Sequence, residues 1–324
     1  MSGKHITILG GTGFVGRSLV AHLANQGHHV KVLSRYRDNG RSLRVLPQVS
    51  VVQGNVHNPE FLQRELTGSD AVVNLVAILN EFGGKNEKFE RVHVELVESI
   101  AKCCEAGKVG KLVHVSALKA DAENGPSNYL RTKGKAEGII KRQGTGSFRW
   151  SILQPSVIFG AEDSFVNRFA GLLKLPAPFL PLPRANARFA PVYVEDVVKA
   201  IAYCIDNDDT HGCTFQLCGP QVFSLKEIVE KIRAQLNITR PIISMPDPVS
   251  RMQAAVMDFV PGKPFSSDNF KSLMVHSICD SDGFAKMGIK PRSMGAIMPR
   301  YLGDAIKSRR YGRMRAKAGR KPTK

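Results

Sequence analysis

Along the first half of the chain, short runs of β-branched and aliphatic residues alternate with longer segments in which apolar positions recur every three or four residues. The short runs fit strands buried on both faces, and the longer segments fit amphipathic helices. Strands are predicted at His5–Leu9, His29–Leu33, Val49–Gln53, Ala71–Leu75, Lys111–Val115 and Arg149–Leu153. Helices are predicted over Phe14–Gln26, Pro59–Leu66, Lys88–Ala106 and Ser127–Arg142. Strict alternation of this kind predicts an α/β fold, a Rossmann-type doubly wound parallel sheet with right-handed helical crossovers.

After Pro155 the alternation fades. Prolines at 176, 178, 181 and 183 exclude a regular helix and leave an extended apolar connection, which either covers a substrate or crosses the surface. Beyond it a helix is expected over Val194–Asp206, a strand over Cys213–Cys218, and a helix over Ser224–Leu236 with Ser224 and Glu227 as a capping box. The expected organisation is a Rossmann domain over 1–155, to which the chain returns around 188–206. A smaller C-terminal α/β lobe for substrate or partner then spans 156–306, followed by a basic, disordered tail over 307–324.

Charge and cysteine content narrow the function classes. The net charge is +18, but nine Lys or Arg and no acid fall between Lys307 and Lys324, so half the excess belongs to the tail. Such a tail is drawn to polyanions, including an anionic membrane, yet beyond Tyr311 it carries no aromatics for stacking bases, so specific nucleic-acid binding is not expected. The six cysteines include no CxxC pair and the nine histidines no HExxH, so neither a metal site nor a disulfide framework is suggested. No apolar stretch reaches the length of a membrane span, and the expected location is cytoplasmic, or peripheral on the inner face of a bacterial plasma membrane.

The first strand runs into the first helix through Gly10-Gly-Thr12-Gly13-Phe14-Val15-Gly16. Glycines at these places permit a tight turn, backbone approach to a pyrophosphate, and close helix packing, so Gly10, Thr12, Gly13, Phe14, Val15 and Gly16 are assigned to a dinucleotide. At the end of the second strand, where an NAD site offers a carboxylate, the chain reads Ser34-Arg35. A guanidinium matches a 2′-phosphate, so NADP(H) is favoured over NAD(H), with Arg37 or Arg17 as helpers. Asn55 and Val56 after the third strand are placed near adenine, and Val76 and Ala77 after the fourth beside the coenzyme. Pro155, Ser156 and Val157 are placed beneath the nicotinamide.

Tyr129 and Lys133 stand four apart on a predicted helix and share one face, with Ser116 at the end of the fifth strand. An ammonium beside the phenol lowers its pKa and prepares it for proton exchange, while Ser116 holds a substrate oxygen. Lys133 has a second role in holding the nicotinamide ribose, which requires no turnover. Tyr–Lys spacing alone recurs by chance in a chain of this length; the position after the fifth strand gives it weight.

These landmarks, together with His114-Val-Ser-Ala117, Gln154-Pro-Ser-Val-Ile-Phe-Gly160 and Pro191-Val-Tyr-Val-Glu-Asp196, resemble the extended and atypical short-chain dehydrogenase/reductases over nearly the whole chain. Within them, Val115-Ser-Ala-Leu followed by Tyr129-Leu-Arg-Thr-Lys-Gly-Lys-Ala-Glu-Gly138 is most similar to the alpha subcomplex subunit nine family of respiratory complex I accessory subunits and its bacterial relatives. That resemblance implies a tightly held NADPH without defined turnover, serving structure, assembly or redox sensing with a respiratory-complex partner. Where the superfamily often places an active-site Asn, this chain has Arg91-Val-His-Val-Glu95, with His93 as either a hydrogen-bonding group or a packing residue. The alternative is an active NADPH-dependent reductase, dehydrogenase or sugar-nucleotide epimerase.

Overall fold

The computed structural model describes residues 3–80, 87–258 and 265–302. The basic tail expected over 307–324 lies outside the described residues.

The first half forms β1 (His5–Leu9), α1 (Phe14–Asn25), β2 (His29–Ser34), β3 (Val49–Gln53), α2 (Pro59–Leu66) and β4 (Ala71–Asn74). One long helix follows, in which α3 (Glu87–Phe89) and α4 (Leu96–Ala106) are joined by a π-helical turn over Glu90–Glu95. Then come β5 (Lys111–Val115), α5 (Asn128–Gln143) and β6 (Arg149–Pro155). Local chemistry sets the helix starts: the Asn58 side chain accepts from Phe61 N–H ahead of Pro59, and Ser127 accepts from Leu130 N–H.

The central sheet has seven strands in the order β11-β6-β5-β4-β1-β2-β3, all parallel, where β11 is Cys213–Leu217. The order reverses between β1 and β4, so the carboxyl ends of these strands frame the crevice where ligands of such sheets bind. Ile6, Ile8, Val30 and Val73 pack with Leu19, Val20 and Leu23 of α1 and with α7 (Val194–Asp206) on one face. Leu9, Val72, Leu112 and Ile152 pack with Leu62, Ile100 and Ile140 on the other. Each fully buried aliphatic side chain contributes about 2 kcal/mol, so both faces are strongly held.

The remaining elements are β7 (Ile158–Phe159), α6 (Val166–Lys174), β8 (Leu180–Pro183), β9 (Arg188–Phe189), β10 (Val192–Tyr193), β12 (Phe223–Ser224) and α8 (Leu225–Gln235). After these come β13 (Ile242–Met245), α9 (Asp247–Met257), α10 (Ser267–Ser272) and α11 (Gly283–Lys286). Ser224 and Glu227 make the expected capping box on α8. Phe159, Leu173, Leu182, Ile228 and Ile232 form a third core with Met294, Ile297 and Leu302. The proline stretch is extended as expected: 174–179 is exposed, and Leu180–Pro183 pairs with β13.

The cysteines correct the sequence reading. Cys218 is disulfide-bonded to Cys279, 61 residues away, because the segment after α10 runs back along β11. Spacing rules detect local pairs, and this pair is made by tertiary packing. Among the described residues there is no group of three or more His, Cys, Asp or Glu placed to hold a metal ion, and no helix long and apolar enough to cross a membrane.

Candidate functional site

The turn between β1 and α1 is shaped by its glycines. Gly10 has φ +80°, the left-handed region that glycine adopts at no steric cost. Gly13 N–H donates to Gly10 O at 3.0 Å and opens α1 without a side-chain cap, and the first turn carries no acid. A Cβ on Gly16 would lie 2.4 Å from Gly10 O and 2.5 Å from Gly11 Cα, so no side chain fits between helix and turn. A Cβ on Gly13 would meet only Gly10 O, at 3.3 Å, and otherwise project into open space. A helix N-terminus with uncapped amides facing such space suits a diphosphate, so the residues present fit a dinucleotide.

Thr12 and Phe14 belong to the same cradle. Thr12 O accepts from Arg17 Nε at 3.0 Å, while Arg17 also pairs with Glu162 at 2.9 Å. Arg17 therefore braces the turn. Phe14 packs against Gly160, where a Cβ would approach the ring to 3.1 Å. Val15 is half-buried against the first core.

On the adenosine side, buried Ser34 donates its hydroxyl to Tyr36 O at 2.9 Å, and Arg35 is exposed at the strand end. Asn55 is exposed and Val56 buried, and Asn55 Oδ1 accepts from His57 N–H at 3.0 Å. Burial, followed by the charge of Arg91 and then that of Arg35, lowers the His57 pKa. Both guanidiniums thus act on the same imidazole, and Arg91 is a cationic neighbour of this corner that the sequence reading missed. It comes from the π-turn, which re-aims side chains in a way no helical periodicity anticipates.

Val76 N–H donates to Asn74 Oδ1 at 3.1 Å, and Ala77 is exposed. His93 fastens this passage. Its Nε2 accepts from Ile78 N–H at 3.1 Å, so Nδ1 carries the proton and faces Thr132 Oγ1 at 2.9 Å. Burial, then Lys133, pushes the His93 pKa down to about 2. His93 is therefore a neutral tether between the chain after β4 and helix α5.

The Tyr129–Lys133 pair differs from expectation. Lys133 is 1% exposed, and its Nζ donates to Val115 O at 3.0 Å; burial pushes its pKa down to about 8. Tyr129 lies edge-on to His93 and Phe89, with ring centroids 5.6 and 6.4 Å away. Its pKa is not lowered but pushed up to about 12, first by burial and then by the negative charge of Asp268. Asp268, on α10, accepts from Asn128 N–H at 2.7 Å and Tyr129 N–H at 3.2 Å and so caps α5 from a distant part of the chain. Ser272 and Asn269 add contacts to Ser127 and Leu79 O. Thus α10 lies against the start of the Tyr129 helix.

Ser116 is buried at the end of β5, its N–H donating to Leu153 O at 2.8 Å. Its Oγ and the Nε2 of buried His114 have no hydrogen-bond partner among the described residues. Buried hydroxyls are normally satisfied, so Ser116 has spare capacity for a group from outside the chain. Pro155 and Ser156 are buried and Val157 half-buried. Ser156 N–H donates to Leu217 O at 2.9 Å and its Oγ to Ser277 O at 2.8 Å. A cavity of about 260 Å³ lined by Lys4, Asp70, Lys111 and Arg149 lies at the opposite, amino-terminal edge of the strands. It is remote from this chemistry by topology.

A family described as NAD(P)H-binding matches residues 10–167, so the chain carries an NAD(P)H-binding domain. It is 27% identical over 308 residues to the mitochondrial NADH-ubiquinone oxidoreductase 40 kDa subunit of Neurospora crassa, covering 93% of this chain and 80% of that protein. It is 31% identical over 273 residues to the mitochondrial NADH dehydrogenase [ubiquinone] 1 alpha subcomplex subunit 9 of Arabidopsis thaliana, covering 82% and 66%. In fold it resembles dTDP-glucose 4,6-dehydratase from Streptomyces venezuelae, solved with NAD and TYD bound, with TM-score 0.74, 18% identity, and 95% and 98% coverage.

Proposed function

We propose, from a chain homologous to the alpha subcomplex subunit 9 proteins and with a short-chain-dehydrogenase-like fold, that this protein holds NADP(H) as a structural or redox-sensing component of a respiratory complex. The observation that carries the reading is a contrast within one site. An uncapped, glycine-lined phosphate cradle is intact, while burial holds the Tyr129 phenol protonated and the Lys133 ammonium is turned to Val115 O.

In this reading Gly10, Gly13 and the first amides of α1 hold the diphosphate. Ser34, Arg35 and Arg91 receive the 2′-phosphate, Asn55 and Val56 border adenine, and Val76, Ala77, Pro155, Ser156 and Val157 flank the nicotinamide half. A bound nicotinamide supplies hydride chemistry. Lys133 Nζ, buried and directed at Val115 O, serves to anchor the ribose, and a phenol pushed to about 12 keeps its proton at neutral pH. A ligand bound only by the folded chain adds about 4 kcal/mol of stability at a thousandfold excess over Kd, enough to make the coenzyme part of the fold. The tail from Lys307 adds electrostatic attachment to anionic lipid beside such a complex.

Native mass spectrometry of the purified chain tests the reading, with one NADPH or NADP⁺ per chain as the expected result. Calorimetry that registers no heat with either coenzyme sinks it. Steady NADPH oxidation by a carbonyl or quinone-like substrate, abolished in Tyr129→Phe, overturns the non-catalytic part. That outcome belongs to the second reading, an active reductase, which the unpartnered Ser116 hydroxyl favours.

A further inference from the structure

We propose that Cys218 and Cys279 form a reversible thiol–disulfide exchange site whose redox state sets how firmly the Ser156 loop is held. Its effect on coenzyme affinity rests on the dinucleotide reading; its thiol chemistry does not.

The argument starts from what the bond joins. Cys218 follows Leu217, whose carbonyl accepts from Ser156 N–H at 2.9 Å. Cys279 lies two residues beyond Ser277, whose carbonyl and hydroxyl meet Ser156 Oγ at 2.8 and 2.9 Å. Ser277 is itself seated by its N–H on Arg188 O at 2.8 Å and by Ala190 N–H on Ser277 O at 3.0 Å. Just past the disulfide, Asp280 N–H donates to Gln216 Oε1 at 2.6 Å and Asp280 pairs with Lys119 at 2.6 Å. The covalent bond therefore sits midway along a seam that otherwise consists of individually weak hydrogen bonds and an ion pair whose Asp280 side is 71% exposed. That seam borders the carboxyl ends of β5, β6 and β11, beside Ser116 and Ser156.

Both cysteines are half-buried residues, whereas Cys103, Cys104 and Cys204 are buried. Exchange requires a dithiol. Its thiolate attacks one protein sulfur, the S–S bond breaks, and the released sulfur takes a proton. The second thiol then displaces the remaining protein sulfur and closes the reductant's own disulfide. Two electrons and two protons pass to the protein, leaving Cys218 and Cys279 as thiols; an oxidised dithiol drives the reverse.

Opening the bond releases a constraint across 61 residues and leaves the Leu217 and Ser277 segments, which both hold Ser156, joined only through hydrogen bonds and the Lys119–Asp280 pair. Coenzyme affinity is expected to fall about tenfold on reduction. Linkage is reciprocal, so bound coenzyme makes the disulfide about tenfold harder to reduce, a shift of about 30 mV to more negative potential.

The full chain is equilibrated in buffers of reduced and oxidised dithiothreitol, native throughout. Alkylation and mass spectrometry count thiols at both cysteines, and calorimetry with NADPH reads affinity at each end. Reversible titration with the tenfold loss, reproduced by the Cys218→Ser, Cys279→Ser double variant and absent from Cys213→Ser, supports the proposal. A bond that stays closed in excess reductant, or affinities that agree within about twofold, overturns it. Should the double variant fail to fold, reduced wild type decides. Should neither coenzyme bind even the oxidised chain, the dinucleotide reading falls separately. Hydrogen exchange at Ser156 N–H then judges the thiol site: faster exchange on reduction upholds it, and unchanged exchange overturns it.

Discussion

The two ends of the crevice are built on opposite principles. Around β1, α1 and β2 the backbone is left unoccupied: Gly13 offers no cap, a Cβ there meets open space, and Arg35 stands exposed. Around β5, α5 and α10 most polar groups have partners within the chain: Lys133 donates one hydrogen to Val115 O, His93 bridges Ile78 and Thr132, and the α5 amides meet Asp268. Coenzyme binding and proton transfer therefore make separate demands on this architecture. The first needs free amides, and the second needs a phenol whose pKa has been lowered.

The largest effect expected from this contrast is acid sensitivity of the second region. His93 is held at about 2, and His114 well below its ordinary value, both chiefly by burial. Both imidazoles stay neutral when folded but take up a proton near pH 6.5 when unfolded, so stability present above that pH is lost as pH falls below it. Denaturant unfolding should show about 4 kcal/mol lost between about pH 7.5 and 5, and a flat profile would break the assignment.

Next comes the cradle itself. Gly16→Val drives a side chain into Gly10 and Gly11 and should cost about 3 kcal/mol by thermal unfolding, together with coenzyme binding. Gly13→Ala, by contrast, should melt like wild type yet lose coenzyme in calorimetry. Arg35→Ala with Arg91→Ala should weaken NADPH by about a hundredfold and NADH by less than about twofold, and equal losses for both would remove the 2′-phosphate assignment.

Smaller effects sharpen the second region. Asp268→Asn should destabilise by about 1–2 kcal/mol, because neutralising the carboxylate weakens two charge-assisted bonds to the α5 start. The phenolate absorbance of Tyr129 should then rise at a lower pH than about 12, since a raising charge is gone. Tyr129→Phe should change coenzyme affinity by less than about 1 kcal/mol. A larger loss would show the phenol to be part of the binding surface.

What was legible in the sequence was what depends on local order. Strands β1, β3 and β5 fall where alternation placed them, the glycine turn lies between the expected strand and helix, and Ser224 with Glu227 caps α8. Chain order likewise brought Ser116, Tyr129 and Lys133 to the carboxyl edge. The unread part arises from contacts between distant segments. Asp268 acts on Tyr129 across 139 residues, and Cys279 reaches Cys218 only because the chain doubles back along β11. Four-residue spacing put the ammonium and phenol on one helix face, but it could not reveal that Val115 O claims the ammonium. The helices α6, α9, α10 and α11 also escaped detection, the last two being only six and four residues long.

The wide turn at Glu90–Glu95 makes one stretch of this molecule act like a screw thread. Removing any single residue there would restore regular winding and turn the side chains within the stretch by up to about 100° from where they now point. Arg91 and His93 would then leave the two corners they now occupy. Length in this stretch is therefore as binding a requirement as residue identity, and a one-residue deletion should do more harm than any one side-chain exchange within it.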